Sequence, residues 1–202
     1  MQLIGAMGSI HLSPLADLAR ELARAGGLRD FVETGTFIGH AIGWASRTFE
    51  RVWTVELNPQ FLAQAKAANP GLTNVTYCQG DSASELPKLV NELPGPALFW
   101  LDAHAGAGYF ADHDICPLVQ ELETVLASAH EHCILVDDAR AFLAPPPPPF
   151  DYRKWPSLDQ IFAAVAKRPG YNIVAIADVL IIVPEKHRAL VAQFCFAIRP
   201  KI

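Results

Sequence analysis

The sequence predicts an α/β fold, a Rossmann-like three-layer sandwich built on a seven-stranded, mostly parallel sheet with an antiparallel seventh strand. Three observations predict it. Short apolar runs alternate with amphipathic ones along the chain, the pattern of a parallel sheet covered by helices on both faces. The runs "PALFWLD" and "HCILVDD" lack polar alternation, as central strands buried on both faces do. The last two apolar runs, "YNIVAIA" and "VLIIVP", are separated by almost nothing, so they close the sheet as an antiparallel pair.

Each element follows from its residues. From Pro14 to Ala25, Leu15, Leu18, Ala19 and Leu22 fall on one helical stripe, and Gly26–Gly27 stop it. "DFVET" is a short strand, "GHAIGWASRTF" a helix, and "RVWTVEL" a strand rich in β-branched residues. "NPQFLAQAKAAN" is a helix with Pro59 in its first turn. "NVTYCQG" is the third strand, and "SASELPKLVNEL" a helix with an early proline and a Ser82–Glu85 capping box. After the fourth strand, "CPLVQELETVLASA" reads as helix. After the fifth, so does "SLDQIFAAVAKR". The run Pro145–Pro149 can continue neither helix nor central strand and reads as a stiff surface connector.

Composition sets the bounds. With 202 residues, 51% of them hydrophobic, the chain can bury one sizeable core. One domain over 1–202 is expected, with an N-terminal helix at about 14–25, a core at about 31–184 and a tail over 185–202. A net charge of −5 argues against a broad phosphate-binding surface, so no nucleic acid partner is expected. No membrane span is expected either, and the N-terminus lacks the basic start of a signal peptide. Cys78, Cys116, Cys133 and Cys195 form no C-x-x-C pair, which reads as reduced thiols of a cytoplasmic protein.

In open α/β sheets ligands lie beyond the carboxyl ends of the strands. Those ends carry Glu33, Gly35, Glu56, Asp81, Asp102, Asp137 and Asp138, so nearly every strand ends in a carboxylate. An acid beside a packed core is costly without a partner. Gly35 and Gly39 allow a tight turn and close approach of a ligand, before a helix whose free N–H groups attract an anion. A plain strand-to-helix turn explains the same glycines. Glu56, a little over twenty residues after Glu33, is placed to accept both hydroxyls of a ribose.

The stretches "VETGTFIG", "VWTVEL", "YCQGDS", "LFWLDAH" and "ILVDDAR" resemble, in order and spacing, class I S-adenosylmethionine-dependent methyltransferases, over about Phe31 to Pro184. The first stretch is most similar to the catechol O-methyltransferase type, with Phe37 in place of the second glycine of G-x-G. The resemblance implies S-adenosylmethionine as cofactor. Gly35 and Gly39 would border its methionine part, Glu56 would bind its ribose and Asp81 would lie near its adenine, with Glu33, Thr36, Leu57, Ser82 and Asp102 completing the cofactor-binding set. It also implies that the seventh strand is inserted antiparallel beside the fifth. The nicotinamide fingerprint G-x-G-x-x-G is absent.

Metal-dependent members of this type place an Asp after the fourth strand and an Asp-Asn pair after the fifth. Asp102 and Asp137 match the acids, and Asp138 replaces the amide. Converging carboxylates call for positive charge, so Asp102, Asp137 and Asp138 are candidate ligands of Mg²⁺, and Arg140 is the competing cation. His104, two residues after Asp102, is a candidate general base or ligand, and Asp102 a candidate catalytic partner. His113, Asp112 and Asp114 share its loop, while His130 and His132 fall at the opposite end of the sheet. The loops Ala103–Pro117 and Arg140–Pro156 read as a mobile cover over an acceptor pocket. Phe110, Phe142, Phe150, Tyr152 and Trp155 would form its apolar wall, and Arg140, Arg153 and Lys154 would hold an acidic group. The tetrapeptide that marks methylation of amide nitrogen is absent after the fourth strand, where "LDAH" stands.

O-methylation of a small-molecule acceptor is therefore the leading expectation. The same fold acting on a sugar or macromolecule, or a non-enzymatic cofactor-binding module, are the alternatives. Assembly is open between monomer and homodimer.

Overall fold

A computed structural model describes residues 8–104, 116–144, 148 and 151–198. Helices and strands alternate as α1 (Leu15–Gly26), β1 (Asp30–Thr34), α2 (Ile42–Thr48), β2 (Arg51–Glu56), α3 (Pro59–Ala68), β3 (Val75–Gln79), α4 (Ser82–Glu92), β4 (Ala97–Leu101), α5 (Leu118–Leu126) and β5 (Cys133–Val136). The short helix α6 (Arg140–Leu143) follows, then α7 (Leu158–Ala166), β6 (Tyr171–Ile176), β7 (Val179–Pro184) and α8 (Arg188–Ala197). The seven strands form one sheet in the order β3-β2-β1-β4-β5-β7-β6. β1 to β5 run parallel, and β7 is antiparallel to both β5 and β6. The order reverses between β1 and β4, the crevice where such sheets bind ligands.

Period-two alternation divides the core. Val32, Phe99, Leu101, Ile134, Val136, Leu180 and Ile182 point to one face and pack with α4, α5 and α7. Their neighbours Phe31, Leu98, Trp100, Leu135, Ile181 and Val183 point to the other and pack with α1, α2 and α8. α1 lays Leu15, Leu18, Ala19 and Leu22 into this second layer and ends at Gly27, in the left-handed region at φ 62°. Each of those leucines contributes roughly 1.5–3 kcal/mol by burial. Ala177 and Asp178, at φ 53° and 63°, make the two-residue turn that joins β6 to β7.

Four local readings change. Asp81, not Ser82, caps α4: its carboxylate accepts from the Ala83 N–H at 3.0 Å. Ser82 is the first helical residue, so the Ser82–Glu85 box does not form, and Glu85 instead pairs with Lys88. Pro87 lies in the helix interior rather than its start, tolerated because Leu86, Leu89 and Val90 are buried. The tail holds α8, anchored by buried Val191 with Leu190 and Phe194 half-buried beside it. α6 breaks the long loop after β5. The proline run lies outside the described residues except Pro148. Among the described residues no helix is long and apolar enough to cross a membrane.

Candidate active site

The turn after β1 is shaped by close approach of backbone. Gly35 N–H and Thr36 N–H both donate to the Val55 carbonyl, at 2.9 and 3.2 Å. The Asp102 N–H donates to the Thr34 carbonyl at 3.1 Å, which draws the end of β4 against this turn. A Cβ on Gly35 (φ 80°) would stand 2.1 Å from the Asp102 carbonyl oxygen, so no other residue fits. Gly39 (φ 82°) is pressed against α3, where a Cβ would meet the Ala65 Cβ and the Asn69 Nδ2, each at 2.9 Å. Both glycines therefore have a packing reason independent of any ligand.

The carboxylates of β1 and β2 differ in environment. Glu33 is buried and accepts a 2.7 Å hydrogen bond from the Thr54 hydroxyl. Thr54 has one hydroxyl proton, so Thr36, 2.5 Å away, donates to Thr54. Burial, with Glu56 nearby, pushes the Glu33 carboxyl up to about 8 against the pull of Thr54. Glu56 is anchored by backbone. Its Oε2 accepts from the Phe37 N–H and its Oε1 from the Asn58 N–H, both at 2.8 Å. Each oxygen keeps a lone pair, enough to accept the two hydroxyls of a ribose. Phe37 takes a left-handed φ of 47° to present that N–H, and its ring meets Phe61 at 4.7 Å. Leu57 is exposed beside Glu56, Asp81 keeps one oxygen beyond its cap, and Ser82 is buried at the first turn of α4.

The acids at the ends of β4 and β5 meet beside two basic side chains, His104 and Arg140. His104 Nε2 lies 3.3 Å from Asp102 Oδ1 and 3.5 Å from Asp138 Oδ2. Arg140 bridges Asp138 at 2.5 Å and Asp178 at 2.7 Å. Asp138 adopts φ 52°, and its N–H donates to its neighbour Asp137 Oδ1 at 2.7 Å. Desolvation, then Asp137 and Asp138, hold the Asp102 carboxyl well above its ordinary range, and burial and Asp138 likewise raise Asp137. Among the described residues no group of three or more His, Cys, Asp and Glu side chains is arranged to hold a metal ion. Asp138 pairs with Arg140, so among the described residues Asp102, Asp137 and Asp138 are not gathered into the expected Mg²⁺ ligand set. The sequence held no sign of Asp178, which arrives from the β6–β7 turn.

A cavity of about 130 Å³ lies beyond these strand ends, lined by Glu33, Gly35, Thr36, Asp102 and Asp137 among others. Sequence reasoning missed several of its lining residues, polar ones among them. Ser9, Ile10 and His11 come from the segment before α1, and His40 follows Gly39. Their only sequence signal was the place of His40 inside the glycine turn. Part of the anticipated acceptor wall falls on described residues. Phe142 and Trp155 are buried against His104, with ring centroids 6.5 and 5.2 Å from it. Tyr152 is exposed, and Arg153 is paired with Asp151. Phe110, Asp112, His113, Asp114 and Phe150 lie outside the described residues, as does most of the first covering loop. His132 is indeed remote: buried at the far end of the sheet, it accepts the Ala97 N–H on Nδ1 at 3.0 Å.

No protein-family model matches the sequence, and no curated protein matches it. Solved structures do. An O-methyltransferase from Bacillus cereus in complex with S-adenosylhomocysteine superposes at a TM-score of 0.64, with 21% identity over 89% of this chain and 85% of that one. The O-methyltransferase TomG from Streptomyces achromogenes, in complex with S-adenosylmethionine and involved in tomaymycin synthesis, gives 0.60, with 19% identity over 91% and 89%. CalS10, an amino pentose methyltransferase from Micromonospora echinaspora, gives 0.57, with 12% identity over 89% and 93%.

Proposed function

Since the chain has the fold of the class I S-adenosylmethionine-dependent methyltransferases, we propose that it is such an enzyme and transfers a methyl group to a hydroxyl oxygen of a small molecule. One observation carries the reading: a polar cavity lies at the strand-end crevice, beside a glycine turn and the anchored carboxylate of Glu56. The residues fit the cofactor. Glu56 would accept the ribose hydroxyls with Leu57 alongside, and Asp81 and Ser82 would border the adenine. Glu33, Gly35, Thr36 and Gly39 would enclose the methionine part, with Asp102 nearby. S-adenosylmethionine, when bound, supplies a methyl group already activated on a sulfonium.

The chain's own task is then alignment and removal of one proton. His104 takes the proton from the acceptor hydroxyl, and Asp102 and Asp138, 3.3 and 3.5 Å from its Nε2, stabilise the imidazolium that results. Arg140 offsets the remaining carboxylate charge. The acidic chain and its free thiols Cys78, Cys133 and Cys195 suit a cytoplasmic enzyme that does not act on nucleic acid.

Calorimetric titration with S-adenosylhomocysteine tests the cofactor half, since wild-type protein should bind and Glu56→Ala should not. Equal affinities, or no binding by the wild type, remove the assignment. A methyl-transfer assay on catechols, hydroxy acids and sugars tests the acceptor half. Cofactor binding without turnover on any of them shifts the balance to a cofactor-binding module.

A further inference from the structure

The cavity's charges are divided by origin. Its carboxylates, Glu33, Asp102 and Asp137, come from the ends of β1, β4 and β5, whereas its imidazoles, His11 and His40, come from two turns. No Lys or Arg is among the described residues that line it. Among the described residues that line it, the only side chains able to carry positive charge are those two histidines. Their ring centroids are 6.2 Å apart, a spacing at which each ring can donate one N–H to the two oxygens of a single carboxylate.

The pair is built rather than incidental. His11 follows Ile10, which is 1% exposed within the core. The same segment is tied to the β6–β7 turn by the Gly8 N–H donating to the Ala177 carbonyl at 3.1 Å. Gly8 packs so closely on Asp137 that a Cβ there would stand 2.7 Å from Oδ1. On the other side, His40 is fixed by the turn that Gly39 presses onto α3.

We propose that His11 and His40 form a carboxylate clamp for the amino-acid end of the cofactor, with the carboxylates of the strand ends taking its ammonium. The inference rests on the S-adenosylmethionine reading above and adds the segment before α1 to the binding site. A zwitterion matches a cavity that has acids on the sheet side and imidazoles on the turn side.

The clamp has a pH signature. Burial, and then the neighbouring His40, hold His11 below its ordinary value, so its ring is neutral in the free protein near pH 7. A carboxylate in contact favours the protonated form of His11, so binding takes up a proton and strengthens as pH falls. Glu33, Asp102 and Asp137 face the same cavity, and Asp178 adjoins Gly8. Protonation of these acids weakens the hold on the ammonium and opposes the trend. The ratio of wild-type to variant affinity isolates the histidines.

Calorimetric titrations at about pH 6 and about pH 8 with S-adenosylhomocysteine and its decarboxylated analogue decide the matter. His40→Ala and His11→Ala should each weaken S-adenosylhomocysteine about tenfold at the lower pH, the size of one charge-assisted hydrogen bond. The loss should be smaller at the higher pH, and affinity for the decarboxylated analogue should be retained. That retained affinity also shows that the variants are folded, and His40→Gln gives a second variant at an exposed position. Unchanged affinity in the variants, or equal losses for both ligands, overturns the clamp while leaving the cofactor assignment standing. Failure of the wild type to bind S-adenosylhomocysteine overturns both.

Discussion

Replacing Glu33 with glutamine should stabilise the protein, and the gain should depend on pH. Glu33 is 4% exposed, and its carboxyl rises from 4.5 to about 8 in the folded chain. Between those values the folded protein holds a proton that the unfolded chain has released, so stability falls as pH rises from about 4.5 to about 8. At 1.36 kcal/mol per pH unit the loss is roughly 3 kcal/mol by pH 7 and roughly 5 kcal/mol above pH 8. Glutamine keeps an oxygen for the Thr54 hydroxyl and cannot ionise, although its new N–H groups lack an assured acceptor, at a cost of about 1 kcal/mol. The net gain for Glu33→Gln is then about 2 kcal/mol at pH 7, or about 4–8 °C in Tm for a chain of this length. Urea unfolding of both proteins from about pH 4.5 to about pH 9 measures it, with ΔG extrapolated to water at each pH. The variant should be slightly weaker at the acid end, cross the wild type at about pH 5 and become the more stable toward the alkaline end. A separation that does not change with pH, or a variant weaker than wild type at pH 8, refutes the account of Glu33 as a desolvated acid. Its retention despite this cost is consistent with a functional role in the cavity wall.

Three further outcomes are expected. Gly35→Ala should destabilise by more than about 3 kcal/mol, because the added Cβ meets backbone at 2.1 Å, whereas Gly71→Ala, also at positive φ (76°) but in open space, should cost only about 1 kcal/mol; comparable urea midpoints for the two would contradict the packing argument. His132 is lowered from 6.5 to about 4, chiefly by burial, so the unfolded chain gains a proton that the folded one refuses as pH falls through this interval. The resulting loss, roughly 3 kcal/mol by about pH 4, should vanish in His132→Gln, and a pH profile unchanged by that substitution counts against it. Methyl transfer should survive chelation and be unaffected by added Mg²⁺, while His104→Asn lowers kcat by about 10²-fold or more with little change in cofactor affinity; activity abolished by chelator and restored by Mg²⁺ would return the Asp102–Asp137 pair to a metal role.

The sheet was legible because its signals are local. Continuous apolar runs at β4 and β5, alternating with amphipathic helices, place each strand from neighbours within a few residues. The near-contact of β6 and β7 likewise announced their antiparallel pairing. The strand-end carboxylates Glu33, Glu56, Asp102 and Asp137 were legible too, since a parallel sheet sends all its carboxyl ends to one side. Tertiary structure decided how their charges are balanced. Asp138 could be read as a metal ligand or as the partner of Arg140. Asp178, which holds the other side of that guanidinium, reaches it only through a turn 38 residues further along the chain. His11 meets His40 for the same kind of reason, because Ile10 seats its segment in a core layer assembled from the whole chain. Hydrophobic periodicity reports which face of an element is buried. It carries no information about which polar side chains meet across elements, because that depends on closure of the entire sheet and on the few ångströms at which charges and hydrogen bonds act.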